Sequence, residues 1–387
     1  MKILIASSKY YPEYSGSGYR AHQTYKRLEK KFGIDFDVIT NSMTYVGNKN
    51  FLHGNKKVLR ISSPFLIPKK KSIKRKLLIC LEFIWEIFFT WIYIKKNINK
   101  YDLLHTFGNS WSIGFLTWYF SKNNKPIIRE LCNKMKNPFY PIQFDKSIKK
   151  IFLSKKTLIV AISKMLEKVV KAHGSFNLWT RLNPISDKFF IDYKNKLYLR
   201  KKLTKFEDTD IILSCVANYI PRKNQIFLID VLKGLPPEFK LLLAGPLKRE
   251  NQNYLNEIKN KIKFLNLTER VEILTGFVSN FDEFIKLSDV FLFPSIEEGL
   301  GTPIIEAQAC GVPVVSNYLK DIVEDILIKG EGGAYSKLDK SEWIKNILEV
   351  HDLSKQKLIN NAKKINSISS SKVIDQIYYN KILNLIN

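Results

Sequence analysis

The sequence predicts an α/β protein made of two doubly wound domains, and three observations predict it. Short apolar, β-branched runs alternate with longer amphipathic stretches, the rhythm of parallel sheets covered by helices. The alternation stops once, in a polar segment near the middle, and then resumes. With 387 residues, the chain is long enough for two such domains, each with a buried core.

Taken in order, KILIA, FDVIT, DLLHT, PIIRE and TLIVAIS read as strands, with helical stretches such as 18–31 and 111–121 between them. The opening run is too short for the core of a secretory signal and reads as the first strand. These elements predict a first domain over 1–185. Residues 186–207 are polar and charged, which predicts an interdomain linker. IILSCVA, KLLLAG, RVEILTG, DVFLFPS and VPVVSN then predict a second domain over 208–369, and 370–387 has a helical pattern suited to packing back on the first. Doubly wound sheets bind ligands at the carboxyl ends of their strands, so two such domains face to face would enclose a cleft.

Lys and Arg number 63 against 36 Asp and Glu, a net charge of +27. The excess is one-sided: residues 1–200 hold 38 basic and 12 acidic side chains, whereas residues 201–387 hold 25 and 24. That asymmetry argues against a uniform nucleic-acid coat, while the basic half still seeks phosphates on nucleic acid, anionic lipid or a nucleotide. Cys80, Cys132, Cys215 and Cys310 are far apart and form no C-x-x-C pair, so neither a zinc site nor a disulfide framework is signalled, and a reduced cytosol fits.

One segment raises the membrane question. Residues 77–94 are apolar except for Glu82, Glu86 and a few polar positions, and are nearly long enough to span a bilayer. Glu82, Glu86, Thr90, Tyr93 and Asn97 form a polar stripe at helical spacing, and each carboxylate at bilayer depth would cost about 2–3 kcal/mol, which argues against spanning. Lys69, Lys70, Lys71, Lys74, Arg75 and Lys76 precede the segment, and Lys95, Lys96 and Lys100 follow it. Two readings fit: a helix lying on an anionic membrane surface, or a core helix whose lysines are merely solvated.

The richest chemistry lies in PSIEEGLGTPIIEAQACGVPVVSN, residues 294–317. An apolar strand turns through Gly299 and Gly301 into a helix with Pro303 in its first turn, which presents backbone N–H groups and a positive dipole end to an anion. Glu298 precedes the turn and Glu306 lies within the helix, and carboxylates accept hydrogen bonds from sugar hydroxyls. A ligand with a phosphate centre and hydroxyl-rich ends is a nucleotide sugar. A glycine turn with surface glutamates is the plainer alternative.

The series Glu298-Gly-Leu-Gly-Thr-Pro-Ile-Ile-Glu306, followed by Gly311-Val-Pro-Val, resembles the E-x7-E signature of the retaining family-four glycosyltransferases, whose fold is GT-B. The resemblance extends through Pro221-Arg222-Lys223-Asn224, Leu243-Ala-Gly245 and Thr275-Gly276-Phe277-Val278, and more loosely to Gly16-Ser-Gly18 and Tyr101-Asp-Leu-Leu-His105. It implies two Rossmann-like domains facing across a cleft, and transfer of a sugar, of hexosyl type, from a nucleotide donor with retention of configuration. No cofactor or metal is implied; the nucleotide sugar is a co-substrate.

By carry-over, Arg222 and Lys223 would grip the donor diphosphate, Glu298 would contact the sugar, and the amides of Gly299, Leu300, Gly301 and Thr302 would meet its hydroxyls or phosphate. Glu306 would hold the ribose, Gly276, Phe277 and Val278 would border the base, and Gly16 and Gly18 would let the first loop approach the diphosphate. Many relatives carry a histidine after the PIIRE strand where this chain has Cys132, so His105, Arg129 and Glu130 become the acceptor-side candidates, with His105 as the catalytic one. Asp208-Thr-Asp210 and Asp35-Phe-Asp37 have a D-x-D form used for metal–nucleotide binding in another transferase fold, but each enters or begins a strand. Gly16-x-Gly18 lacks the third glycine of a dinucleotide fingerprint.

The function expected is therefore a glycosyltransferase acting on a lipid-linked glycan acceptor in bacterial surface-polysaccharide synthesis. It is expected in the cytoplasm, peripheral on the inner face of the cell membrane, with no nucleic-acid partner. The alternatives are a basic nucleic-acid-binding protein and a catalytically inactive membrane-associated scaffold.

Overall fold

Each of the two units of the chain is organised by one largely parallel sheet. The central strands are buried on both faces, which is why they read in sequence as unbroken apolar runs. The computed structural model describes residues 1–387 except 14, 43–44, 69–71, 133–136, 140–145 and 277–279. One unit comprises Met1–Arg181 with Lys372–Asn387, the other Leu182–Ser371.

The first unit contains β1 (Lys2–Ser7), β2 (Asp35–Asn41), β3 (Lys49–His53), β4 (Lys56–Ile61), β5 (Leu103–Phe107), β6 (Ile127–Leu131), β7 (Thr157–Ala161) and β8 (Leu178–Thr180). Their order is β3-β4-β2-β1-β5-β6-β7-β8, parallel throughout except for the β3–β4 pair. Winding reverses between β1 and β5, and that is the unit's switch point. The helices are α1 (Gly16–Phe32), α2 (Ile73–Asn97), α3 (Trp111–Lys122), α4 (Lys146–Leu153) and α5 (Lys164–Lys171). Helix α1 shows how local sequence sets the limits. The Ser15 hydroxyl accepts from the Gly18 N–H at 3.0 Å, Ala21, Thr24, Tyr25 and Leu28 bury one face, and Gly33 ends the helix in the left-handed region.

Helix α2 is inside out. Its buried residues are Glu86, Thr90 and Ile94, whereas Ile73, Leu77, Leu81, Ile84, Phe88 and Trp91 form an exposed ridge at three- and four-residue spacing. The buried stripe has partners: the Ser112 N–H donates to Glu86 at 3.2 Å, and the Thr90 hydroxyl donates to that of Ser112 at 2.9 Å. Burial, reinforced by Glu82, pushes the Glu86 carboxyl up to about 7. The helix is long and apolar enough to cross a membrane, and only 17% of its most apolar stretch is buried. That exposure answers the core-helix reading, since a core helix buries its apolar face. Lys69, Lys70 and Lys71 of the basic flank lie outside the described residues.

The second unit contains α6 (Lys196–Leu203), β9 (Ile211–Val216), α7 (Gln225–Lys233), β10 (Phe239–Gly245), α8 (Gln252–Phe264), β11 (Val271–Thr275), α9 (Phe281–Lys286) and β12 (Val290–Phe293). It continues through α10 (Thr302–Ala309), β13 (Val314–Asn317), α11 (Val323–Ile326), β14 (Gly333–Ser336), α12 (Lys340–His351) and α13 (Lys355–Ser369). The strand order is β11-β10-β9-β12-β13-β14, all parallel, with the switch point between β9 and β12. Leu213, Leu241, Leu243 and Val315 pack with Leu228, Ile258, Trp343 and Ile347 in its core.

Residues 186–207, expected as a linker, belong to the second unit. Within them, Arg200 is buried, donates to the Leu287 carbonyl at 3.0 Å and pairs with Asp289, which also meets Lys196 at 2.7 Å. Part of the segment's charge is therefore paired across the packing surface, while Lys194, Lys201, Lys202 and Lys205 are exposed. After α13 the chain returns to the first unit as α14 (Ser371–Ile386). Ile374, Tyr378 and Ile382 of α14 enter the core formed by β1, β2 and α1, and Arg27 clamps Asp375 through bonds of 2.6 and 2.9 Å.

Candidate functional site

The second unit gathers its chemistry at the switch point, where the loops leaving β9 and β12 lie side by side. After β9, residues Pro221–Lys223 make one tight turn that Asn224 closes in the left-handed region, φ 52°. Buried Gln225 anchors this turn by donating to the Asn218 carbonyl at 3.0 Å and accepting from the Tyr254 hydroxyl at 3.3 Å. The Ile296 N–H donates to the Arg222 carbonyl at 2.9 Å, tying the two loops together.

Side chains converge across that tie. Lys223 Nζ lies 2.5 Å from Glu298 Oε1 and Arg222 Nη1 lies 3.2 Å from the same oxygen, while Arg222 Nη1 also donates to the Glu297 carbonyl. Lys223 Nζ sits 5.3 Å from the centre of the Phe293 ring. The lysine and the glutamate are mostly buried, and Arg222 is exposed.

The loop then feeds α10. Gly301 precedes the helix at φ 82°, a conformation that favours glycine, and as the cap residue it has no side chain to bond the first amides. In its first turn Pro303 has no N–H and the Ile304 N–H donates to the Gly301 carbonyl at 2.9 Å, which leaves the Thr302 N–H at the positive end of the helix. Leu300 is buried and pins the loop, and the Thr302 hydroxyl accepts from the Asn183 amide at 2.7 Å. Glu306, half-buried, stands one turn further along α10. At the end of β11, the Gly276 N–H donates to the Gly245 carbonyl at 3.2 Å; Phe277 and Val278 lie outside the described residues. Gly245 allows a close approach, since a Cβ there would fall 2.0 Å from the Ala217 carbonyl oxygen.

The first unit treats its candidates differently. Gly18 is required sterically, because a Cβ there would lie 2.3 Å from the Lys9 carbonyl oxygen, whereas a Cβ on Gly16 would meet nothing within 4 Å. His105, Arg129 and Glu130 are strand residues with at most 2% exposure, so none of them reaches a substrate from where it stands. Tyr25 Oη is 2.7 Å from His105 Nδ1, and Glu130 forms an ion pair with Arg181 at 2.8 Å and accepts from the Tyr378 hydroxyl at 2.5 Å. Burial lowers the affinity of His105 for its proton, which keeps the ring neutral despite Glu130 at 3.5 Å. Burial would raise the Glu130 carboxyl, but Arg181 outweighs it and holds the group well below the carboxylate range. Arg129 donates to the Gly108 carbonyl at 2.9 Å and to Asn109, fixing the loop after β5. The three residues expected on the acceptor side are thus buried in strands of the first unit and engaged with their neighbours there.

Sequence reasoning missed Arg20, in the first turns of α1, whose guanidinium hydrogen-bonds the buried Cys132 thiol. The available signal was its position two residues after Gly18. Asn183 and Gln225 were also missed, and neither carries a signal beyond its neighbourhood. The discounted D-x-D pairs are engaged in ion pairs: Asp35 and Asp37 with Lys2 at 3.1 and 3.0 Å, Asp208 with Lys201 at 3.1 Å, and Asp210 with Lys240 at 3.4 Å.

Known proteins resemble this chain in sequence and in fold. The model of a family described as glycosyl transferases group 1 matches residues 196–365, which include the whole loop cluster. A GDP-mannose-dependent monoacylated alpha-(1-6)-phosphatidylinositol monomannoside mannosyltransferase of Corynebacterium glutamicum is 30% identical over 138 residues, 32% of this chain and 33% of that protein. A UDP-Gal:alpha-D-GlcNAc-diphosphoundecaprenol alpha-1,3-galactosyltransferase of Escherichia coli is 26% identical over 204 residues, 50% of this chain and 46% of that protein. The chain therefore spans less than half the length of either curated relative. Among solved structures, HepE of Anabaena in complex with UDP superposes with a TM-score of 0.74 at 16% identity, covering 99% of this chain and 100% of that one, a likeness of fold alone. The chain therefore has two Rossmann-like units of the GT-B class, and its second unit carries, over residues 196–365, a domain that matches the glycosyl transferases group 1 family.

Proposed function

We propose that the chain transfers a sugar from a nucleotide-sugar donor to a lipid-linked glycan acceptor, with retention of anomeric configuration, in the assembly of a bacterial surface polysaccharide. The observation that carries this reading is the convergence of Arg222, Lys223 and Glu298 beside the glycine-capped start of α10. The donor diphosphate would lie against the positive end of α10 and the two cations. As the bond between the anomeric carbon and the diphosphate oxygen breaks, negative charge gathers on that oxygen, where a guanidinium and an ammonium stabilise it. Glu298 accepts from sugar hydroxyls and Glu306 from those of the ribose. No metal is required in this reading, because the two side chains supply the positive charge at the diphosphate.

The test is a thermal-shift screen with UDP, GDP, ADP and their sugars, followed by product analysis with a lipid-diphosphate sugar acceptor. A nucleotide at 100 times its Kd would stabilise the fold by about 2.7 kcal/mol. No shift with any nucleotide and no product would defeat the reading.

The lipid side of the proposal rests on α2. Its exposed ridge of Ile73, Leu77, Leu81, Ile84, Phe88 and Trp91 is flanked by Lys74, Arg75 and Lys76 at one end and Lys95 and Lys96 at the other, as in a helix lying in an anionic interface. The acceptors named for both curated relatives, a phosphatidylinositol mannoside and a diphosphoundecaprenol, are lipids. Vesicles containing phosphatidylglycerol should sediment the protein at physiological salt, and Phe88→Glu should release it. Failure of the unmodified protein to bind would defeat the membrane reading.

A further inference from the structure

We propose that Glu298 is the residue that distinguishes the sugar-bearing donor from the spent nucleoside diphosphate, by occupying the phosphate-binding cations whenever no sugar is present. The inference rests on the transferase reading of the site and deepens it.

A single carboxylate oxygen of Glu298 receives Lys223 at 2.5 Å and Arg222 at 3.2 Å, the position a phosphate oxygen of the donor would take. The carboxylate therefore stands in for the ligand's own anion. An arriving diphosphate must either displace it or share the two cations with it at close range, and two neighbouring anions repel. Once displaced, a carboxylate loses two charge-assisted hydrogen bonds and needs donors elsewhere.

The two nucleotides differ in what they offer. A free nucleoside diphosphate presents acceptor oxygens at its phosphate end, so it gives Glu298 nothing in exchange. A nucleotide sugar brings hydroxyls that donate to a carboxylate, and it compensates the displacement. The loop is built for such an exchange. Gly299 follows Glu298, Gly301 sits at φ 82°, and Leu300 pins the segment while the carboxylate beside it moves. Arg222 also holds the Glu297 carbonyl, so the guanidinium remains on the loop when the Glu298 side chain leaves. After transfer the sugar is gone, Glu298 returns to the cations, and the product is expelled.

The experiment is calorimetric titration of the unmodified protein and of Glu298→Gln with the nucleoside diphosphate and nucleotide sugar that stabilise the fold, at two salt concentrations. Glutamine keeps the shape and removes the competing charge. The diphosphate should bind Glu298→Gln about tenfold tighter while the donor binds no tighter, so their affinity ratio moves by about an order of magnitude, and the shift should shrink at the higher salt. Glu298→Ala should move the ratio in the same direction. A fold defect would weaken both nucleotides together and leave the ratio unmoved, and an unmoved ratio overturns the inference. If the unmodified protein binds no nucleotide, the transferase reading fails and the inference falls with it. If it binds donor and turns over but the ratio stays fixed, only the inference falls.

Discussion

At the switch point of the first unit, His105 and Glu130 are fully enclosed with Tyr25, Arg181 and Tyr378; at that of the second, Glu298 meets Lys223 and Arg222 with part of the cluster in solvent. Both sheets are doubly wound, and each carries charge close to its switch point, within the strands in the first unit and on the loops in the second. The difference lies in whether that charge can change partners. An enclosed pair has no alternative, so it serves cohesion; a partly exposed pair can exchange its carboxylate for a ligand's anion, so it serves chemistry.

The largest effect is expected in the enclosed cluster. Glu130→Gln leaves Arg181, 3% exposed at its side chain, without a compensating charge and should cost about 3–5 kcal/mol of stability, read from urea unfolding. An unmoved midpoint would break the comparison. Next, Lys223→Ala should lower turnover by about 10²–10³-fold, near 3–4 kcal/mol of transition-state stabilisation, while the melting temperature stays within a few degrees. A collapse in stability would move Lys223 into the cohesive class.

Glu86 sharpens the contrast as a buried carboxylate that, among the described residues, meets no cation. Its pKa is raised from 4.5 to about 7, so the unfolded chain loses this proton first as pH rises. The stability it contributes is fully present below pH 4.5 and lost between 4.5 and 7. Glu86→Gln escapes that loss and should be more stable than the unmodified protein at pH 8, by at most about 3 kcal/mol, and nearly equal to it near pH 4.5. Thermal unfolding at the two pH values checks the sign.

The buried strands were legible because burial on both faces leaves an apolar run that no solvent-facing residue interrupts: KILIA became β1, PIIRE β6 and DVFLFPS β12. The β3–β4 hairpin was not, since it lies at the sheet edge, where the exposed face of KNFLHGNKKVLRI admits lysine and asparagine. Helix α6 was hidden for the opposite reason, because its buried Arg200 has the same letter as a solvated one. In the second unit the linear order of glycines, Arg222, Lys223 and the two glutamates pointed to one cluster, and of these the structure brings Arg222, Lys223 and Glu298 into contact. In the first unit, His105, Arg129 and Glu130 carried reactive letters, and only burial shows that their partners are Tyr25, Gly108 and Arg181.

The position of α14 in the chain has a consequence for the order in which the protein is made. Tyr378 caps the Glu130–Arg181 pair, yet residues 182–371 are synthesised before it. Domains ordinarily fold as they leave the ribosome, the N-terminal one first. The inserted residues are therefore available to fold before their host has all its parts, and the Glu130–Arg181 pair lacks its tyrosine until residues 372–387 have been made. A host unit closed by its last helix ties the two ends of the chain to one core, so removal of α14 would strip Ile374, Tyr378 and Ile382 from the first sheet.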